Sequence, residues 1–153
     1  MKELDEIIFD ALKANADIVA MTKGKIYSTV VEAPKFDAAN TKAPFIVVMD
    51  EPFTNDLGTK DTLWESGTDH VKAGVVLAGN SRKQVGQMRR KVRQAIADYV
   101  AKLQEPPYLT GVSNEGIVFN DLMSYYDDMI HYQADMENHL FDDYEQEENG
   151  SES

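Results

Sequence analysis

The stretch "HYQADMENHL", residues 131–140, decides how the last third of the chain folds. Read as a helix, it sets His131, Asp135 and His139 on one face at four-residue intervals, close to a metal-binding arrangement. Read as a strand, it puts Ile130, Tyr132, Ala134, Met136 and Leu140 on one side. His131, Gln133, Asp135, Glu137 and His139 then share the other, with Asn138 alone out of step. The strand accounts for more residues, and a polar outer face is ordinary for a half-buried strand. The spacing also departs from the His-Glu-x-x-His pattern that makes a zinc reading specific. The stretch therefore reads as sheet, and a metal set of His131, Asp135, Glu137 and His139 stays open as the alternative.

With that choice made, "MIHYQADMENHLF" (129–141) becomes the second strand of a hairpin. Its first strand is "GIVFNDLMSYYDD" (116–128), and the turn is expected near Asp127 and Asp128. Upstream, "GNSRKQ" (79–84) opens a helix: Ser81 is placed to cap it, and Gln84, three positions on, completes a capping box. Val85, Met88, Val92, Ala95, Ile96, Tyr99, Val100 and Leu103 hold one face of that helix until Pro106 and Pro107 end it. "HVKAGVVLAG" (70–79) reads as a strand. "APFIVVMDE" (43–51) reads as another, apolar enough for burial on both faces and stopped by Pro52. Residues 53–69 are rich in Gly, Asp, Thr and Asn and read as a long loop, which inside a compact domain is often a working part.

At the other end, Leu4, Ile7, Ile8, Ala11 and Leu12 form one stripe of an amphipathic helix. Asp17 is placed to cap a second short helical turn, and Gly24 lets the chain leave it. "KIYSTVV" (25–31) is β-rich, and residues 32–42 read as a loop. The sum is an α+β domain: a largely antiparallel sheet of about four to five strands, with the N-terminal helix and one long helix packed on one face. The expected boundaries are a single domain over 1–141 and an acidic, disordered tail over 142–153.

The chain has 153 residues, 42% of them hydrophobic, enough for one core but not two. It has no cysteine, so disulfides and thiolate zinc sites are excluded. "MKELDEIIF" lacks the basic and apolar regions of a signal peptide, and the longest apolar runs fall short of the roughly 20 residues of a membrane helix, so a soluble chain is expected. The net charge of -12 argues against wrapping nucleic acid. That charge is uneven: residues 81–103 hold Arg82, Lys83, Arg89, Arg90, Lys91, Arg93 and Lys102 against a single acid, Asp98, so one basic helix sits in an acidic body.

Each chemical reading has a plainer rival. "LAGNSRKQ" leads from strand to helix, but it lacks the glycines and the Gly-Lys-Ser/Thr ending of a phosphate loop. The basic helix has no interleaved aromatic platform for single-stranded nucleic acid, which leaves a solvated face or pairing with acidic surfaces of the same or a neighbouring subunit. Phe53, Leu57, Leu63 and Trp64 in the long loop are either local core or a protein contact. No Gly-x-Ser-x-Gly elbow is present.

The ordered set of a leading helix, "DIVAMTKGKIY", "APFIVVMDE", a strand and the helix from "NSRKQVGQMRRKVRQAI" resembles the tail-completion or tail-terminator family of long-tailed bacteriophages and prophages. The resembling positions are Gly24, Ile26, Tyr27, Pro44, Phe45 and Val85 to Val100, within roughly residues 4–103. The segment after Gly58 is longer than the pattern, and the acidic tail has no counterpart in it. The resemblance implies a non-enzymatic structural protein without cofactor, joined into a ring, commonly of six, at the head-proximal end of the tail. Its implied partners are copies of itself, tail-tube and head-completion proteins, with no membrane and no sequence-specific nucleic acid. It implies assembly in the bacterial host cytoplasm and a final place in the virion tail. The interface residues expected on this reading are Phe53, Leu57, Leu63, Trp64, Arg82, Arg89, Arg90 and Arg93. The rivals are a metal-dependent enzyme using the 131–139 face and an acidic protein-binding module.

Overall fold

The computed structural model describes residues 2–29, 37, 41–57 and 65–139. The side chains of Leu57 and Glu65, Leu63 and Trp64, most of the 32–42 loop and the 142–153 tail lie outside the described residues.

Helix α1 (Leu4–Ala14) buries the expected stripe and Phe9 as well; Asp5 and Glu6 sit in its first turn and Lys13 in its last, each on the side the helix dipole favours. The second helix, α2 (Ala16–Thr22), is capped by Asn15 and not by Asp17: the Asn15 Oδ1 accepts from the Ile18 N–H at 3.1 Å. Lys23 (φ 55) and Gly24 (φ 77) both turn left-handed, and Gly24 hands the chain to β1 (Ile26–Ser28).

Strand β2 (Phe45–Leu57) does not stop at Pro52. Glu51 pairs with Lys72 and Thr54 with His70, so Pro52 and Phe53 stand opposite Val71 alone. This bulge absorbs the proline, whose missing N–H would break a regular ladder. The expected loop over 53–69 is thus partly sheet: its two ends extend β2 and β3 (Glu65–Gly79) into a long hairpin arm. Asn55 ties the arm together, donating to the Ser66 and Thr68 carbonyls at 3.0 Å each and accepting from the Ser66 N–H at 2.8 Å.

Helix α3 (Arg82–Ala101) starts as the sequence indicates: the Ser81 Oγ accepts from the Gln84 N–H at 3.1 Å. The Gln84 side chain reaches back to the Asn80 N–H, one residue before the usual capping-box partner. Val85, Met88, Val92, Ala95, Ile96 and Val100 are buried, each contributing about 1.5–3 kcal/mol for the larger side chains relative to exposure.

The C-terminal third differs from the expected hairpin. Strand β4 (Tyr108–Asn114) precedes it, β5 (Val118–Asn120) is short, and β6 (Tyr125–Glu137) begins before Asp127 and Asp128. The turn falls at residues 121–124, closed by Ser124 at φ 56. The six strands form one sheet in the order β1-β2-β3-β6-β4, with β5 also on β6. All pairings are antiparallel except β1 with β2. The fold is α+β: α1 lies against β1, β2 and β3, and α3 against β3 and β6, on the face carrying Ile46, Val48, Val75, Leu77, Ile130 and Tyr132. No helix among the described residues is long and apolar enough to cross a membrane.

Candidate functional site

The apolar stripe of α3 faces the sheet, which leaves Arg89, Arg90 and Arg93 along the seam between that helix and the edge strand β4. Arg90, Arg93 and Ala97 face Leu109, Val112 and Tyr132 across a cleft of about 480 Å³. A neighbouring cleft of about 210 Å³, lined by Arg89, Arg93, Ser113 and Asn114, shares Arg93 and Val112 with it. Together they make a groove with cationic rims and an apolar floor. Val112 is 42% exposed on that floor, an unusual degree for an inward-facing valine of a sheet. Tyr132 lies beneath it at 2% exposure, and its hydroxyl has no hydrogen-bond partner among the described residues. Burial pushes that phenol up to about 12, with Arg93 pulling the other way.

Arg89 is held differently from Arg90 and Arg93. Its Nη1 donates to the Asp128 Oδ2 at 3.0 Å, and the Asp128 side chain is fully buried. Three further donors converge on the same carboxylate: the Asn114 Nδ2 at 3.1 Å, the Gly116 N–H at 2.9 Å and the Met129 N–H at 2.8 Å. Asp128 is therefore a clamp joining α3, the β4–β5 turn and β6. Arg82, exposed in the first turn of α3, lines neither cleft. Phe53 stands 59% exposed on the β2 bulge, at a separate cleft with Asp5, Asp50 and Asp69.

The opposite face of the sheet carries His70 and His131. Along β6 burial alternates from residue to residue, so His131, Gln133 and Asp135 point away from the helices as the strand reading expects. His70 Nδ1 lies 2.6 Å from Asp135 Oδ1 and its Nε2 lies 2.8 Å from Asp56 Oδ2. His131 Nδ1 lies 2.8 Å from Glu51 Oε1 and its Nε2 lies 3.1 Å from Glu115 Oε1. An ionised carboxylate only accepts, so each imidazole satisfies both partners only as the doubly N–H-bearing cation. These hydrogen bonds raise His70 to about 8, with Asp56 the largest cause, and raise His131 above its ordinary value, with Glu51 the largest cause. Gly74 makes room: a Cβ there would lie 2.7 Å from Glu51 Oε1 and 2.3 Å from Met129 Cε.

The four residues of the metal alternative do not converge. His131 is held by Glu51 and Glu115, Asp135 by His70, and His139 stands 3.5 Å from Glu105 and 3.9 Å from Glu137. Among the described residues, no group of three such side chains is disposed to hold a metal ion. Asp128, Tyr132, Leu109 and Val112 were not singled out by the sequence. Only the unusual pairing of acids at 127–128 beside an apolar alternation could have pointed to a buried carboxylate.

The fold and surface thus define an α+β domain whose helices cover one sheet face and leave a basic groove at its β4 edge. Among solved structures, the chain is similar to one from the virion of a native gene transfer agent particle. The similarity covers 88% of this chain and 95% of that chain, with a TM-score of 0.50 and 12% identity. At that identity it is the fold that is shared. No protein-family model and no curated protein sequence matches the chain.

Proposed function

We propose that this chain is a non-enzymatic structural protein of a phage or phage-like particle. Its copies form a ring, of six, at the head-proximal end of the tail, where the ring ends tube growth and joins tail to head. The observation that carries the reading is the fold shared with a virion chain over nearly the full length of both. The resemblance of the Gly24-to-Val100 segment to tail-completion proteins supports the finer position. A ring contact is heterologous, so one surface must complement a different surface on the next copy. Arg90 and Arg93, in an otherwise acidic chain, offer the cationic half of such a pair, while Arg89 is committed to Asp128. Phe53 and the arm that follows it are the proposed contact with the tail tube.

The test is light scattering and negative-stain imaging of the full chain, alone and with tail-tube protein. Rings that loosen as salt rises are expected, because exposed charge pairs are screened. A strict monomer at high concentration, with no rings in either sample, overturns the proposal.

A further inference from the structure

We infer that the α3–β4 groove is the docking site of the chain's own acidic C-terminal segment, residues 140–153, bound within the same molecule. The chain leaves the sheet at the near end of this groove. Strand β6 ends at Glu137, and His139, at φ 58, turns the backbone beside the start of β4. At that exit lies a cleft of about 670 Å³ whose lining includes Leu103, Pro106, Pro107, Tyr108 and Met136. It is suited to the first two residues of the segment, Leu140 and Phe141. Beyond it along β4 come Leu109 and Val112 and the arginines.

Reach and charge agree with this path. Val112 pairs with Tyr132, seven residues back along β6 from His139, or about 23 Å at the rise of an extended strand. Fourteen residues extended reach about 46 Å, so the segment can return to the groove and traverse it. Residues 142–153 hold Asp142, Asp143, Glu145, Glu147, Glu148 and Glu152 and no basic residue. Arg90 and Arg93 make no ion pair among the described residues, and Arg93 lies close enough to act on the Tyr132 phenol. The basic rim and the apolar floor match an acidic segment with apolar residues at its near end.

The absence of cysteine makes the test direct. In the full chain, Val112→Cys with Gln146→Cys is compared with Gln133→Cys with Gln146→Cys, whose first position is exposed on the outer face of β6 and lies within the same reach of His139, under mild oxidation at low protein concentration. The expected result is an intrachain disulfide in the groove pair that forms at least tenfold faster than in the outer-face pair. Adding Arg90→Glu and Arg93→Glu should remove that advantage, as should high salt, while far-UV circular dichroism stays unchanged. Equal rates in the two pairs overturn the inference. A predominantly interchain link also overturns it, because the occupant is then a second copy. Ring formation is read separately by light scattering and imaging, so the two proposals fail separately; an interchain link would return Arg90 and Arg93 to the contact between copies, and an intrachain one would leave that contact to other surfaces.

Discussion

Removing Arg89 should expose how far one buried carboxylate organises the C-terminal third. Asp128 is fully buried, and Arg89, one-third exposed, is its cationic partner at 3.0 Å. Breaking a buried ion pair by removing one partner costs about 3–5 kcal/mol where the remaining charge is left uncompensated. Here Asn114, Gly116 and Met129 still donate to Asp128, and water can follow the vacated arginine path from the groove. The cost of Arg89→Met should therefore sit lower, at about 2–3 kcal/mol, for charge-assisted hydrogen bonds of about 1.5–3 kcal/mol each. Asp128→Asn should cost at least as much, since its amide NH₂ would face other donors whichever way it is turned. For a chain of this size the loss corresponds to a fall in Tm of roughly 4–12 °C. Urea unfolding of the two single variants and the double variant gives the coupling energy. The double variant should be at least about 1 kcal/mol more stable than the sum of the singles implies. Additivity within about 0.5 kcal/mol would refute the clamp.

The remaining predictions concern the polar face and the start of α1. His70 should titrate with a midpoint near 8 by proton NMR. Because its folded-state value is raised, its stabilising effect is full below about 6.5, fades between there and about 8, and is absent above; a midpoint at or below 6.5 contradicts the paired geometry. Gly74→Ala should push the flexible ends of Glu51 and Met129 aside at little cost in stability, and should return His131 toward its ordinary range by displacing Glu51, so an unchanged His131 titration rejects the close fit. Asp5 is buried with an unpartnered Oδ2, and burial, followed by Asp50, raises its carboxyl above the usual range. A raised acid destabilises the fold as pH climbs through and beyond that range, so Asp5→Asn should raise the urea midpoint at pH 7 and give less benefit at pH 3; the reverse order sinks the assignment.

Which parts of the fold were legible follows from where burial imposes a period. Helices α1 and α3 bury one stripe each, and β6 buries every second residue, so all three announce themselves in the order of apolar side chains. Strand β4 did not, because Leu109 is only half-buried, Val112 is exposed, and glycine, serine and asparagine fill an edge strand held mainly by backbone bonds to β6. The acid pair at 127–128 resembled a turn because local chemistry favours that reading. Three of the four donors that hold Asp128 in the sheet come from α3, the β4 end and the turn after it, which no local window shows. Pro52 misled for a similar reason, since a bulge is settled by the opposing strand. The arginines of the groove were visible as charge, but Arg89 had to be separated from Arg90 and Arg93 by its partner, and only the packing of α3 on the sheet does that.

The unbroken pairing of β6 with β3, from Thr68 with Glu137 to Gly79 with Tyr126, gives the chain a parity rule. Inserting one residue near Met129 would turn His131 and Asp135 toward the core and Ile130, Tyr132 and Ala134 toward water at the same time. Two inserted residues would leave both faces intact and alter only the length. Divergent versions of this fold should therefore change β6 in even steps and take odd-numbered changes in the turn at 121–124. Length variation along the strand becomes a way to recognise shared register where sequence identity has faded.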